Sequence, residues 1–498
     1  MHFLGIDIGT SGCKALVFDE SGKQLAISGR SYDIMFSDNG GAELNPDEVT
    51  GKCFDVIREC TSAVPAGSVK GLSISSQGEA FTAVGSNHES LCNAMVSSDS
   101  RSEPYLSRFI RKMDDEKLYR ITGHTAHPLF TVFKLLWLKE NKPKVWKKTR
   151  YFLCFEDLLQ LRLGIEPTIS WPLAGRTMMF DVIKKQWSPE ILDIVGLTAD
   201  RLAKPAPSGS IVGKIPADLA EELGLSKETV VVSGGHDQTC SALGAGVVDK
   251  GIAMLATGTV ECITAAFKKP EFSADLKKNN LCTYNYTIPD YYASIAYHLT
   301  GGNILKWFKD EFGGREVAEA ERSKGSAYEY LLKAMSDTPS GLMVLPYFTP
   351  SGTPYFDTRT KGAIFGLRLS TGRGELIRAL LEGVAFEMRL NLEILGNSGY
   401  QISEFRAVGG GAKSETWTQL KADVMDKKIT TLQVTESGCY GAAMMAGSAV
   451  TGEPVNQLAT RWVKPVKIIY PQAENRDWYS DRFQLYQDMY KTVKTLSV

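Results

Sequence analysis

Two aspartates that each follow a predicted buried strand are the side chains best placed for chemistry. Asp7 stands near the end of the apolar segment 3–8, and Asp237 follows an apolar run and the pair Gly234 and Gly235. Glycines let a substrate approach the backbone closely, and a carboxylate after them would face a cleft. We therefore interpret Asp237 as the best candidate for a general base. Taken alone, an aspartate in this position is more often a helix N-cap.

The turn after Asp7 has the composition of a phosphate site. Gly9, Thr10, Ser11 and Gly12 combine hydroxyl groups with exposed backbone N–H groups, which can form an anion-binding concavity. Mg²⁺ would then lie beside Asp7, through water, because this ion keeps several waters beside one or two carboxylates and phosphate oxygens. A plain hairpin turn is an equally good interpretation of this segment taken alone.

Two more glycine turns lie in the second half of the chain, at 257–259 (Thr-Gly-Thr) and at 409–412 (Gly-Gly-Gly-Ala). They are the candidates for the remaining phosphate and nucleotide contacts. The chain has neither a Gly-x-x-x-x-Gly-Lys-Ser/Thr loop nor a Gly-x-Gly-x-x-Gly fingerprint. A bound nucleotide must therefore lie on a different scaffold from those of the two commonest nucleotide folds.

The composition favours an enzyme that acts on small molecules. A chain of 498 residues predicts two domains with a cleft between them. The 56 Lys and Arg residues balance the 57 Asp and Glu residues, which argues against a nucleic-acid partner. We find no signal-peptide pattern and no apolar run long enough for a membrane span, so the expected location is the cytoplasm. Nine scattered cysteines fit reduced thiols better than disulfides or a zinc site.

Apolar periodicity predicts alternating strands and helices, which is typical of an α/β protein. Asn45 as an N-cap and Pro46 as the first helical residue mark one helix start. A loop is predicted at 204–210. The similar segments 6–10 and 255–259 indicate two related domains, the first ending near Val247. The other predicted strands are 14–18, 69–75, 229–233, 252–256, 262–266 and the strand-loop unit 405–411, and the other predicted helices are 130–139, 217–223, 375–395, 416–425 and 481–496.

These motifs together resemble the FGGY carbohydrate kinase family, nearest to its xylulokinase-like branch, over nearly the whole chain. Residues 5–12 resemble the first phosphate motif of the family, 234–237 its catalytic segment and 408–414 its adenosine loop. Residues 134–141 and 362–367 resemble the two family signatures. The order of all five motifs agrees with the family.

The resemblance implies an α/β fold of two ribonuclease-H-like (actin/hexokinase-type) domains with a catalytic cleft between them. Residues 1–247 would form the sugar-binding domain with the catalytic base, and residues 248–498 the nucleotide-binding domain with a terminal helix. ATP and Mg²⁺ are the implied cofactors, with Asp237 deprotonating the sugar hydroxyl that attacks the γ-phosphate and Asp7 supporting the metal. The implied cofactor-binding residues are Gly9, Thr10, Ser11, Gly258, Thr259, Gly410, Gly411 and Ala412.

The sugar pocket departs from the family pattern. Xylulokinases usually carry Gly-Gln-Met-His-Gly after the third strand, whereas this chain has Ser-Gln-Gly-Glu-Ala at 76–80. The tryptophan usual at the start of the substrate strand is Ser97 here. The segment 170–177 contains Trp171 where the family often has small polar residues, and it is as well interpreted as loop packing as pocket wall. The candidate substrate residues are Gln77, Glu79, Asp99 and Arg101.

The predicted activity is ATP-dependent phosphorylation of a hydroxyl on a small sugar or polyol, with a pentulose such as xylulose as the first expectation. Gluconate, ribulose, glycerol and deoxy-sugars are alternative substrates. A nucleotide switch of the actin or Hsp70 type, whose output is partner binding, is the alternative of a different class. The glycine-flanked Asp237 and the polar pocket positions favour the enzyme. The expected partner is a small molecule, without nucleic acid or membrane, and a homodimer is plausible by analogy.

Overall fold

The computed structural model describes residues 1–496 and contains two large mixed β-sheets with helices packed against them. The strands of the first sheet, in spatial order, are Ile211–Lys214, Val230–His236, Val69–Ser76, His2–Ile8, Gly12–Asp19 and Gln24–Ser31. Those of the second are Tyr284–Asn285, Tyr292–His298, Glu261–Phe267, Ile252–Thr257, Glu404–Val408, Lys428–Leu432 and Pro465–Ile469.

The two sheets share one connectivity. In the first, His2–Ile8 pairs antiparallel with the following strand and parallel with Val69–Ser76. In the second, Ile252–Thr257 pairs antiparallel with the following strand and parallel with Glu404–Val408. Both central strands therefore end in a glycine turn of a hairpin at the same position in the topology. The predicted pair of related α/β domains is confirmed.

The helices agree closely with the apolar patterns that predicted them. In the helix Pro46–Ser62, Asn45 caps the N-terminus by accepting hydrogen bonds from two backbone N–H groups, as its position before Pro46 predicts. The other helices of eight or more residues are Glu103–Ile110, Asp115–Thr122, Thr131–Asn141, Phe155–Arg162, Asp237–Gly244, Gly302–Phe312, Gly314–Ser323, Arg373–Asn397, Glu415–Met425, Ser437–Thr451, Val455–Trp462 and Arg476–Leu496. Within residues 1–496 no helix combines the length and the apolar character of a membrane span.

Two segments interpreted as loops contain regular structure. Residues 171–175 form the short helix Trp171–Gly175, with Pro172 in its first turn and a buried apolar face. Just before it, Thr168–Ser170 pairs in parallel with the strand Lys204–Ala206, inside the segment predicted as a loop. The strand pairing joins segments more than 30 positions apart along the chain, so local turn signals conceal it.

The helix Ser437–Thr451 crosses from the second half of the chain onto the first sheet. Its residues 437–447 are all buried, and a Cβ on Gly441 would lie 2.0 Å from the carbonyl oxygen of Cys240. Gly244 makes an equally close approach from the partner helix, since a Cβ there would lie 2.0 Å from the Ser437 carbonyl oxygen. The two domains are thus joined by two helices in backbone contact. The domain boundary at residue 247 stays a prediction.

Candidate active site

Asp237 is the first residue of the helix Asp237–Gly244 and directly follows the strand Val230–His236. Its side chain is 28% exposed, but Oδ1 is buried and has no hydrogen-bond partner within the described residues. Burial, followed by the negative charges of Asp7 and Glu79, raises the pKa of Asp237 to about 8. A higher pKa makes this carboxylate a stronger proton acceptor than an ordinary aspartate.

The ring of His236 lies beside Asp237 without forming an ion pair. Nε2 is 3.1 Å from Oδ1 of Asp237 without the alignment of a hydrogen bond, and Nδ1 is 2.9 Å from the hydroxyl of Tyr284 in the second sheet. Burial, with the positive charge of Arg176 as a smaller cause, holds the pKa of His236 well below its usual value, so the ring is neutral. His236 therefore joins the segment that carries Asp237 to the other domain.

Asp7 and the turn after it lie beside this carboxyl group. The Ser75 hydroxyl donates to Asp7 Oδ1 at 2.6 Å, and burial raises the pKa of Asp7, with Glu436 raising it further. Glu436 is itself 2.7 Å from the ammonium group of Lys14. A cavity of about 330 Å³ opens at the turn, lined by Asp7, Ser11, Gly12, Cys13, Lys14, Gly29, Arg30 and Ser31. The lining includes Ser11 but neither Gly9 nor Thr10.

Gln77 and Glu79 follow the neighbouring strand. The Gln77 amide donates to the Gly9 carbonyl at 3.0 Å, and its Oε1 atom is buried without a hydrogen-bond partner in the described part of the chain. Glu79 has a φ of 62°, which is uncommon outside glycine and costs conformational energy. Its carboxylate forms a buried ion pair with Arg176, through both Nε and Nη2 of the guanidinium group.

Aromatic rings surround this ion pair. The Arg176 guanidinium lies 5.2 Å from the ring of Phe130 and 5.6 Å from that of Tyr284. Burial is the largest single influence and acts to lower the pKa of Arg176, but Glu79 together with Tyr284, Cys282 and Tyr297 raises the pKa on balance. Arg176 therefore keeps its positive charge and is held against Glu79 among aromatic rings.

Asp99 and Arg101 form a separate network. Arg101 Nη2 lies 2.5 Å from both Asp99 and Glu43, and its guanidinium lies 4.2 Å from the Trp137 ring. Asp99 Oδ2 also accepts a hydrogen bond from the Ala42 N–H group at 3.0 Å. These two side chains are thus bound to protein groups, whereas Gln77 retains a free acceptor.

The second domain contains a cavity of about 620 Å³ at its glycine turns. Gly258, Thr259, Gly410 and Gly411 all line it, while Ala412 does not and packs against the core of that domain. The other lining residues are Thr257, Gly302, Asn303, Leu305, Lys306, Ser326, Tyr328, Glu329, Leu332, Lys333, Lys413, Ser414, Thr416 and Trp417. Apolar side chains with several polar groups and backbone turns suit a nucleoside and its phosphates.

Gly410 and Gly411 differ in their surroundings. A Cβ on Gly410 would have no atom within 4 Å, so this residue faces open space. A Cβ on Gly411 would lie 2.2 Å from Cγ2 of Thr257, so Gly411 is required for the contact between two turns. Only a side chain at Gly410 would enter the cavity without disturbing the backbone.

The structure also brings together residues that the motifs did not single out. Arg176, considered only as part of an uncertain segment, is the counter-ion of Glu79. Gln238 follows Asp237, and its Oε1 atom is buried without a hydrogen-bond partner among residues 1–496. Tyr284 contacts His236 from 48 positions along the chain. The adjacency of Gln238 to Asp237 was visible in the sequence, whereas nothing local indicated the partners of Glu79 and His236.

Comparison with known proteins agrees with this architecture. Residues 2–244 match the N-terminal domain of the FGGY family of carbohydrate kinases, and residues 253–450 match its C-terminal domain. A xylulose kinase of Bacillus subtilis is 29% identical over 100% of this chain and 98% of its own length, and a gluconokinase of the same organism is 28% identical over 91% and 88%. The crystal structure of a ligand-bound xylulose kinase from Lactobacillus acidophilus, 22% identical, has the same fold, with a TM-score of 0.91 over 100% of this chain and 99% of that one.

The matches of both halves of the chain to one family of domains define the class of this protein as a sugar kinase. The chain belongs to the FGGY family of carbohydrate kinases, as the resemblance of its five motifs predicted. It is a carbohydrate kinase, and its family implies ATP as the phosphoryl donor.

Proposed function

We propose that this kinase transfers the γ-phosphoryl group of ATP to a hydroxyl of a neutral pentulose such as xylulose, with Asp237 as the base. The observation that carries the proposal is the Asp237 carboxyl group, whose buried Oδ1 has no hydrogen-bond partner in the described chain and whose pKa is raised to about 8. An acceptor without a hydrogen-bond partner at the start of a helix is suited to take the proton of a bound hydroxyl. The xylulose kinases among the similar proteins support the choice of sugar.

The charge of the site supports a neutral substrate over an aldonate such as gluconate. Asp7, Asp237 and Glu79 are close enough for Asp7 and Glu79 to raise the pKa of Asp237. The positive charge nearby belongs to Arg176, which Glu79 already pairs. Within residues 1–496, a substrate carboxylate would therefore find the guanidinium group of Arg176 already paired, whereas sugar hydroxyls need no counter-ion and can donate hydrogen bonds to carboxylates. Gluconate remains the second candidate, because gluconokinases are also similar to this chain.

The nucleotide is assigned to the cavity at the glycine turns of the second domain. The turns at Gly258 and Thr259 and at Gly410 and Gly411 would hold the phosphates and the nucleoside, with Ser11 contributing from the first domain. Backbone N–H groups in such turns bind phosphate oxygens without a dedicated basic side chain. Because phosphoryl transfer depends mainly on positioning and charge stabilisation, closing the two domains would be sufficient to assemble the reaction.

The residues present fit Mg²⁺. No group of three or more His, Cys, Asp or Glu side chains within residues 1–496 could hold a metal ion by itself. Asp7 nevertheless has a buried carboxyl group with a raised pKa beside a second carboxyl group, and a cation would offset that repulsion. Mg²⁺ is usually held by one or two carboxylates with phosphate oxygens and waters, so Asp7 would hold the ion together with ATP. The ion would neutralise charge on the phosphate oxygens.

The test is ADP release by the purified enzyme with Mg²⁺ and ATP, offered xylulose, ribulose, gluconate and glycerol in turn. We expect the highest kcat/KM with a pentulose and the lowest with gluconate. Preference for gluconate would overturn the charge argument while leaving the kinase assignment. ATP turnover that no sugar stimulates, but a protein partner does, would favour the nucleotide switch.

A further inference from the structure

Glu156 is a buried carboxylate that no step of the proposed reaction uses. It is the second residue of the helix Phe155–Arg162 and is fully buried. Its side chain points into the space between two segments, 168–170 and 230–236, which it contacts through hydrogen bonds to both. Burying an acidic group is costly unless donors surround it, so its position calls for a role.

Four donors converge on this carboxylate. Oε1 accepts hydrogen bonds from the Gly234 N–H group at 2.8 Å and from the Ser233 hydroxyl at 3.3 Å. Oε2 accepts from the Ser170 hydroxyl at 2.6 Å and from the Ser170 N–H group at 3.2 Å. Glu156 therefore satisfies two backbone N–H groups on two different segments.

The bond to Gly234 lies at an irregularity of the sheet. The pairing of Val230–His236 with Val69–Ser76 shifts register between Val232 and Gly235, which marks a β-bulge. At the bulge a Cβ on Gly234 would lie 1.8 Å from the Ile74 carbonyl oxygen. Glu156 thus supplies the acceptor for an N–H group inside the bulge, three residues before Asp237. A bulge redirects the side chains that follow it.

The hydrogen bonds to Ser170 act on the segment that leads to Arg176. Ser170 ends its strand and directly precedes the helix Trp171–Gly175, after which comes Arg176. Arg176 in turn holds Glu79 in its ion pair. One carboxylate therefore fixes the start of the segment that carries Arg176 and the bulge that precedes Asp237.

We propose that Glu156 is a positioning residue that fixes the position of the proposed base Asp237 relative to the Glu79–Arg176 pair. This inference rests on the proposed function, since it takes Asp237 as the base. The role requires a carboxylate, because all four contacts are donors and an amide would place its NH₂ group against at least one of them. A displacement of about 1 Å at a reacting group can cost about 100-fold in rate.

The experiment compares Glu156→Gln with a matched variant, Glu387→Gln. Glu387 is also fully buried, accepts hydrogen bonds from the hydroxyls of Tyr347 and Tyr486, and lies in the core of the second domain outside the site. Burial raises the pKa of both glutamates to about 7. The two substitutions therefore make the same chemical change at equally buried positions, one beside the site and one remote from it.

We measure the Tm and the separate kcat and KM values for sugar and ATP, over pH 5.5 to 9. We expect both variants to lose thermal stability, and Glu156→Gln alone to lose about 10- to 100-fold in kcat. Its KM for ATP should stay within about two-fold, because the nucleotide cavity is in the other domain. The acid limb of its kcat profile should also shift, because the surroundings of Asp237 change.

Equal kcat values per folded molecule for Glu156→Gln and Glu387→Gln, with an unchanged pH profile, would overturn the inference. Asp237→Asn is measured in parallel to keep the two proposals separate. If Asp237→Asn remains active, the base assignment fails. If it is inactive while Glu156→Gln behaves like Glu387→Gln, the base assignment stands and the positioning role fails.

Discussion

The region proposed to bind the sugar (the sugar half) and the cavity proposed to bind the nucleotide (the nucleotide half) differ in the groups that line them. In the sugar half, charged side chains already bind one another, as in the Glu79–Arg176 pair and the network of Asp99, Arg101 and Glu43. In the nucleotide half, a cavity of about 620 Å³ is bordered by glycine turns, and Gly410 faces open space. Under the proposed assignment, the first region would recognise its ligand through side-chain identity, and the second through space and backbone groups.

If the two regions divide the work as proposed, this difference would allow one scaffold to serve several sugars. Backbone N–H groups that bind phosphate are insensitive to most substitutions, so the donor ATP can stay constant. A pocket of paired polar side chains rejects analogues that leave its groups without partners, so a few substitutions there can change the acceptor. The departure of residues 76–80 from the usual xylulokinase pattern lies in the half where it would alter the acceptor.

The largest expected effect is that of Asp237→Asn. Removing the proton acceptor should lower kcat by about 10³-fold or more, while ATP affinity stays within a few-fold, because the base acts on the sugar hydroxyl. Steady-state kinetics with both substrates varied, together with ATP titration of the variant, would measure this. Near-normal turnover would show that the two halves do not divide the work as proposed.

The next effect is that of Gly410→Val on the nucleotide half. The new side chain would occupy the open space of the cavity, so KM for ATP should rise by about 10-fold or more while KM for the sugar changes little. Gly411→Val is not an equivalent test, because its Cβ would collide with Thr257 and displace the backbone. Its Tm should fall, whereas that of Gly410→Val should not. Unchanged ATP kinetics in Gly410→Val would remove the turn from the site.

A smaller effect is expected when the ion pair of the sugar half is changed. Glu79→Gln keeps the side-chain size but leaves Arg176 buried without a counter-ion, which destabilises a protein by about 3–5 kcal/mol in comparable cases. Adding Arg176→Met should restore part of that stability. Both variants should change the ratio of kcat/KM for two sugars that differ at one hydroxyl by about 10-fold, with ATP kinetics preserved. If every sugar is affected equally, Glu79 does not contribute to selectivity.

Gln77, Asp99 and Arg101 are the other residues predicted to determine selectivity. The expected effect of substituting each one depends on how far its side chain is already paired. Gln77 retains a buried acceptor without a partner in the described chain, whereas Asp99 and Arg101 already bind each other. Gln77→Ala should therefore change the sugar ratio more than Asp99→Asn, whose main effect should be on stability. A larger change of selectivity from Asp99→Asn would place its network in the sugar pocket.

The sequence predicted the parts of this molecule that depend on local rules. The N-cap at Asn45, the glycine hairpins and the long helix Arg373–Asn397 follow from capping, backbone freedom and apolar spacing within one turn or strand. The position of Asp237 after a buried strand has the same origin. All of these signals are local in the sequence, so no knowledge of the tertiary structure was required.

The remaining features depend on contacts between distant segments. Glu79 and Arg176 are 97 positions apart, and neither side chain by itself indicates the other. The helix Ser437–Thr451 consists mainly of small and apolar residues, which favour a buried helix. This composition does not indicate the sheet on which the helix packs. For the same reason the role of residues 171–176 could not be decided locally, since it depends on the partner of Arg176.

The last expected effect concerns the pH dependence of stability, and it tests whether the proposed placement of Asp237 lowers the stability of the folded protein. The pKa of Asp237 is about 8 in the folded protein, against about 4 for an unfolded aspartate. Between these values the unfolded chain has released its proton while the folded protein retains it, so this group makes the folded state less stable as pH rises. Asp237→Asn removes the titration, and its Tm relative to the unsubstituted enzyme should therefore increase from about pH 5 to pH 8. Gly410→Val, which introduces no titrating group, should show a Tm difference that is independent of pH. Thermal unfolding of the three proteins over this range measures both quantities. A Tm difference for Asp237→Asn that stays flat with pH would mean that the carboxyl group is already ionised in the folded protein and that its pKa is not raised.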